Sequence, residues 1–208
     1  TAVGGGYMQG TAWIYTVNSD GSFSAPVQIM GEDGAALSGT VFDAAFNADG
    51  TALILVGTPG ALLYSVSGKI VTFKQVIAYG TTNLVSSRAV AFHPTAGTFA
   101  IGDIYITTER TGLYWFTLQI GTNGGMTVTA WVMLALPEGT ERNANVYGLT
   151  FRPDGSMLVA TGNFSGGVLA YNVSSETHTP YGTLQGISIS PSVTSIDDWW
   201  KPSFNPSG

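Results

Sequence analysis

The sequence contains no cysteine, which excludes a disulfide framework and any thiolate metal site. Charge is nearly as scarce. Only 10% of the 208 residues are charged, where a soluble domain ordinarily carries about a quarter. Seven Lys and Arg face thirteen Asp and Glu, for a net charge of −6. Phosphate backbones require clustered positive charge, so no nucleic-acid partner is expected. No polybasic stretch addresses anionic lipid either. The longest apolar runs have strand length, short of the roughly 20 residues that a spanning helix needs, so no membrane insertion is expected. Two histidines are present, His93 and His178. Neither has a Cys, His or acidic neighbour at ligand spacing, which argues against zinc. The G-x-S-x-G elbow of serine hydrolases is missing too. No segment carries a 3.6-residue apolar period, so helix content is expected to be negligible.

What the chain does have is glycine (28 residues), Thr, Val and Tyr, a strand-and-turn composition. It also repeats itself. Phe46-Asn47-Ala48-Asp49-Gly50, Phe92-His93-Pro94-Thr95-Ala96-Gly97, Phe151-Arg152-Pro153-Asp154-Gly155 and Phe204-Asn205-Pro206-Ser207-Gly208 are copies of one turn. Their closing glycines divide the chain into four units of about fifty residues. Each unit has the same order. An apolar strand ends at the Phe (residues 41–46, 88–92, 146–151 and 199–204), and the turn supplies preset proline φ and positive glycine φ. A near-continuous apolar second strand follows (2–3, 52–56, 99–101, 157–160), as in strands buried on both faces. The third strand carries an apolar–aromatic–polar–aliphatic signature: Ile14-Tyr15-Thr16-Val17, Leu63-Tyr64-Ser65-Val66, Trp115-Phe116-Thr117-Leu118 and Ala170-Tyr171-Asn172-Val173. A more alternating fourth strand closes each unit (23–29, 70–77, 126–134, 178–184). Pro26 and Pro180 suit the first and last of these to an outer edge.

These features predict an all-β fold, a β-propeller of four blades with four antiparallel strands each. The units are 1–40 plus 199–208, 41–86, 87–145 and 146–198, in a single domain. Residues 199–204 would be the innermost strand of the amino-terminal blade, closing the ring and removing its exposed edges. The F-x-P-D-G turns, the aromatic–Thr/Ser–Val strands and Asp20-Gly21-Ser22-Phe23 resemble the WD-repeat-like and lactonase-type (YVTN) β-propellers. The resemblance spans all four units and implies blades. Those families usually carry seven, so the alternative to four closed blades is a larger ring completed by a second copy (a homo-oligomer) or by a missing remainder. The lactonase type also implies a channel metal held by acidic, His or Asn side chains. That set does not map onto these residues.

Candidate binding residues in the loops between fourth and first and between second and third strands are Glu109 and Arg110, Glu141 and Arg142, and Asp197 and Asp198. The pair Trp199–Trp200 opens the innermost strand, where at least one reads as core packing and the other as a binding candidate. Aromatic pairs of this kind anchor partners or stack on sugars. Trp13, Trp115 and Trp131 read as packing residues. No cofactor is expected. A carboxylate-ringed channel including Glu32, Asp33 and Glu138 would suit Ca²⁺, although no D-x-D-x-D-G loop supports it. The functional expectation is a non-catalytic structural or recognition module of a virion, cell-surface or secreted assembly, meeting a protein or glycan partner and located extracellularly or on the virion surface. The alternatives are a sugar-binding propeller and a small metal-assisted lactonase-like hydrolase using Asp43, Asp197 or Asp198.

Overall fold

The structure is a computed structural model and describes residues 2–5, 11–58, 60–79, 82–84, 86–103, 112–134, 145–162, 168–173 and 202–204. Among them, regular structure is β-strand apart from one 3-10 turn, Glu32–Gly34. The first sheet holds β1 (Ala2–Gly5), β2 (Ala12–Tyr15) and β3 (Val27–Gln28). The second holds β4 (Val41–Phe46), β5 (Ala52–Gly57), β6 (Gly60–Ser67), β7 (Ile70–Tyr79) and β8 (Thr82–Asn83). The third holds β9 (Ser87–Phe92), β10 (Thr98–Asp103), β11 (Leu113–Ile120) and β12 (Met126–Met133). The fourth holds β13 (Val146–Phe151), β14 (Met157–Gly162) and β15 (Val168–Asn172). Within each sheet the strands follow one another in sequence order and pair antiparallel.

The repeated turns explain this order. In the second unit, Gly50 donates to the Asn47 carbonyl (3.0 Å), and the Asn47 side-chain oxygen accepts from the Ala52 amide (2.8 Å). In the fourth, Gly155 donates to the Arg152 carbonyl (2.8 Å). Both glycines hold positive φ, 68° and 77°, the left-handed region that a side chain disfavours. In the exposed Asp154 turn, hydrogen bonds from Ser156 hold the carboxyl below its usual range.

Consecutive sheets stack face to face on three apolar layers. Ile14 and Ile29 of the first sheet region meet Leu53, Leu55 and Tyr64 of the second. Ile54 and Leu63 meet Phe99, Ile101 and Phe116 of the third. Trp115 and Leu113 meet Leu149, Phe151, Leu158 and Tyr171 of the fourth. The β5 residues Ala52–Val56 are all buried, and so is the whole of β10. This confirms the reading of near-continuous apolar runs as strands covered on both faces. The first strands of the units, β4, β9 and β13, lie side by side across the stack.

At the turn end the third and fourth sheets are joined by His93. Its Nδ1 accepts from the Thr95 and Ala96 amides (3.2 and 3.0 Å), and its Nε2 lies 3.1 Å from the Gly155 carbonyl oxygen. Accepting at Nδ1 places the proton on Nε2, so the imidazole donates to Gly155. The ring also meets Phe151 edge-on at 5.2 Å. His93 is thus a structural part of this turn.

Two expected strands differ. The fourth strand of the first unit, expected over 23–29, is reduced to Val27–Gln28 with an isolated Val17–Phe23 bridge. Pro26 supplies no amide hydrogen there, which interrupts the ladder. Pro202, Ser203 and Phe204 take no strand, so the expected closing strand is not formed over its second half. Its first half lies outside the described residues, as does the strand expected over 178–184.

Candidate functional site at the mouth of the inner strands

All eight candidate binding residues (Asp197, Asp198, Trp199, Trp200, Glu109, Arg110, Glu141 and Arg142) lie outside the described residues. Of the carboxylates considered for Ca²⁺, Glu32 and Asp33 are described and stand exposed on the 3-10 turn. Among the described residues, no three His, Cys, Asp or Glu side chains gather as a metal ion would require.

The chemistry-bearing feature that is described sits where the inner strands begin. Each first strand carries a bulge against its neighbour. On β4, Val41 pairs with Gly57 and Asp43 with Val56, leaving Phe42 as the extra residue. On β9, Ser87 pairs with Asp103 and Ala89 with Gly102, leaving Arg88. On β13, Val146 pairs with Gly162 and Gly148 with Thr161, leaving Tyr147. A bulge bends its strand and re-aims a side chain. Three bulges at equivalent places form a recurring device at the end from which the candidate loops emerge.

Phe42, Arg88 and Tyr147 are all half-buried. The Arg88 guanidinium carbon lies 3.6 Å from the centroid of the Phe42 ring, a cation–π contact across the second and third sheets. The Arg88 Nε is buried and has no hydrogen-bond partner among the described residues. The same is true of the hydroxyl of Ser87, a fully buried residue beside it. Tyr147 accepts from the Asn145 side-chain amide at 3.3 Å, leaving its own phenolic hydrogen to donate.

Asp43 has a structural task. Its Oδ1 accepts from the Ala44 amide (2.8 Å) and its Oδ2 from the Val90 amide (3.0 Å). Val90 lies on β9, the edge of the third sheet, so a carboxylate of the neighbouring sheet satisfies an edge amide that no strand within the third sheet reaches. Both oxygens thus accept from backbone amides, which ties the second sheet to the third. Tyr64 and Tyr171 are buried, and burial pushes both hydroxyls up, far from any role as proton carriers near neutrality. Trp115 is buried between the third and fourth sheets, as expected of a packing residue.

Sequence reasoning missed Arg88, although a signal existed. Phe42, Arg88 and Tyr147 each stand four residues before the Phe that ends the strand, and Trp200 stands four before Phe204. Aligning the repeats on that Phe makes one column of three aromatics and an arginine.

No family model matches the chain, and no curated protein matches it. Solved structures do. A protein from Lactobacillus plantarum is similar over 87% of this chain and 51% of its own, at 16% identity and a TM-score of 0.55. A putative 6-phosphogluconolactonase from Bacteroides uniformis is similar over 88% of this chain and 53% of its own, at 18% identity and a TM-score of 0.53. A second protein of that name, from Bacteroides fragilis, is similar over 89% of this chain and 67% of its own, at 12% identity and a TM-score of 0.52. The chain spans about half the length of the first two.

At these identities the likeness carries the fold alone, a β-propeller type. It also corrects the leading functional expectation. A non-catalytic structural module of a virion or surface assembly was inferred from generic blades. The structures that these sheets resemble bear lactonase names instead.

Proposed function

We propose that the four sheets are the blades of a β-propeller and that the chain is a lactonase-like hydrolase. Residues 1–40 with 199–208, 41–86, 87–145 and 146–198 are its four units in this reading. The observation that supports the hydrolase reading is the likeness of the sheet stack to two proteins named as 6-phosphogluconolactonases. Fold alone does not determine chemistry, so the reading names a reaction class. Its place is the end of the sheets that carries the three bulges, where Arg88 lies against Phe42. Glu109, Arg110, Glu141, Arg142, Asp197, Asp198, Trp199 and Trp200 are kept as candidates for substrate binding in this reading.

The reaction is hydrolysis of a cyclic ester of a sugar acid. A water oxygen adds to the lactone carbonyl carbon, the ring carbon–oxygen bond breaks, and the released alkoxide takes a proton. The product is an open hydroxy acid, which at neutral pH gives one proton to the medium. Half-buried aromatic faces at Phe42 and Tyr147 suit the flat edge of such a ring. No step is assigned to a metal.

The released proton is the assay. In a pH-stat, the purified chain is expected to accelerate opening of δ-gluconolactone or its 6-phosphate above the spontaneous rate, and rates equal to buffer alone for both would overturn the hydrolase reading. The four-blade reading has its own check. Light scattering after size exclusion is expected to give a monomer of 21.7 kDa. A discrete dimer would replace the self-closed ring by a larger one shared between two copies.

A further inference from the structure

We propose that the β9 bulge is a binding site for a small-molecule oxyanion, a carboxylate or a phosphate, held on the edge of the Arg88 guanidinium. Three observations bear on this bulge. Phe42 covers one face of the guanidinium at 3.6 Å, which fixes the plane of the fork. The buried Nε has no acceptor among the described residues. Ser87, the preceding residue of the same bulge, has a buried hydroxyl that is likewise unpartnered.

A buried donor without an acceptor costs roughly 1–3 kcal/mol, and more when it belongs to a charged group. Native proteins therefore rarely leave one unmatched. The charge balance sharpens the anomaly. Carboxylates outnumber cations thirteen to seven in this chain, yet the ion pair found among the described residues joins Arg152 to Asp154 at the opposite, turn end (3.5 Å). Asp43, the carboxylate on the adjoining inner strand, is turned to the Ala44 and Val90 amides. A guanidinium with a stacked face and a free edge presents parallel N–H groups, the geometry that takes a carboxylate or phosphate oxygen pair. A water molecule would satisfy the Nε–H but would leave the charge uncompensated.

The proposal is separable from the hydrolase reading because binding is read without turnover. The Arg88 Nε–H is followed by proton–nitrogen NMR in the wild-type chain, its resonance assigned by its disappearance in Arg88→Lys. Inorganic phosphate and sodium gluconate are titrated separately, with neutral glucose as the control. The expected result is a saturable shift of the Nε–H with phosphate, gluconate or both, and none with glucose. Saturation by one anion alone identifies the group that the site takes. Arg88→Gln, followed through the Ala89 backbone amide because the Nε–H is gone, is expected to weaken binding by about tenfold or more relative to the wild-type shift of the same amide, as loss of a charge-assisted contact implies. Lys69→Gln, on an exposed turn at the other end, is expected to leave it unchanged. A resonance unmoved by both anions, or an affinity unaltered in Arg88→Gln, overturns the site. The wild-type titration decides the matter even where a variant fails to fold.

Discussion

Replacing Gly60 with alanine is expected to destabilise the chain by about 2–5 kcal/mol, through two costs that add. Gly60 opens β6 with φ at +98°, where an L side chain is strained. A Cβ built there would also stand 2.2 Å from the Leu84 carbonyl oxygen, a backbone atom of the following connection. Gly57, at the other end of the same tight link, is expected to be equally intolerant. Its Cβ would meet the Thr40 carbonyl oxygen at 2.0 Å. That oxygen is held by the Thr58 amide at 2.9 Å, while the Thr40 amide donates to the Thr58 hydroxyl at 2.8 Å. The strand link cannot yield without breaking this pair. The measurement is the urea midpoint of each variant, compared with Gly68→Ala. Gly68 has φ of +60° but open space around its Cβ, so it isolates the conformational cost. A Gly60→Ala midpoint equal to that of Gly68→Ala would mean that the close approach to Leu84 does not exist.

Truncating Phe151 to alanine is expected to cost about 3–5 kcal/mol, the range for removing a buried aromatic. Phe151 is 9% exposed and meets Trp115 edge-on at 5.5 Å and His93 at 5.2 Å. Its loss would leave an apolar void shared by the third and fourth sheets and would unseat the imidazole that joins them. Thermal or urea unfolding checks this. A cost below about 1 kcal/mol would show that the ring is solvent-exposed and that the packing of these sheets is wrong. Phe46 occupies the same repeat position but is only half-buried, so Phe46→Ala is expected to cost less.

The sheet assignment was legible because two independent signals agreed. Apolar runs at 52–56, 99–101 and 157–160 marked strands covered on both faces, and glycine-closed turns at Gly50 and Gly155 marked where the chain reverses. Both are local properties of a few residues, which a sequence carries openly. The outermost strands were less legible, because an edge strand is held by fewer constraints and a single residue such as Pro26 decides it. The site was less legible still. A bulge at Phe42, Arg88 or Tyr147 is a register shift between two strands, visible only once the partners Gly57, Gly102 and Gly162 are known. The role of Asp43 depends on an amide 47 positions away on another sheet. No periodicity announces such a bond.

The His93 contact has a consequence for the chain as an array of copies. In the second unit the corresponding residue, Asn47, folds back on Thr51 and Ala52 within its own turn. Between that turn and the next lies a cleft of about 290 Å³ bordered by Asp49, Thr95 and Ile120. A Cβ on Gly50 would meet nothing, whereas one on Gly155 would stand 2.3 Å from the imidazole. One junction is thus keyed and the other is not. The copies are particular to their neighbours: the third unit carries a peg and the fourth its socket. A chain shuffled so that another unit follows the third would lose the match, which makes the linear order of the units part of the information that specifies the fold.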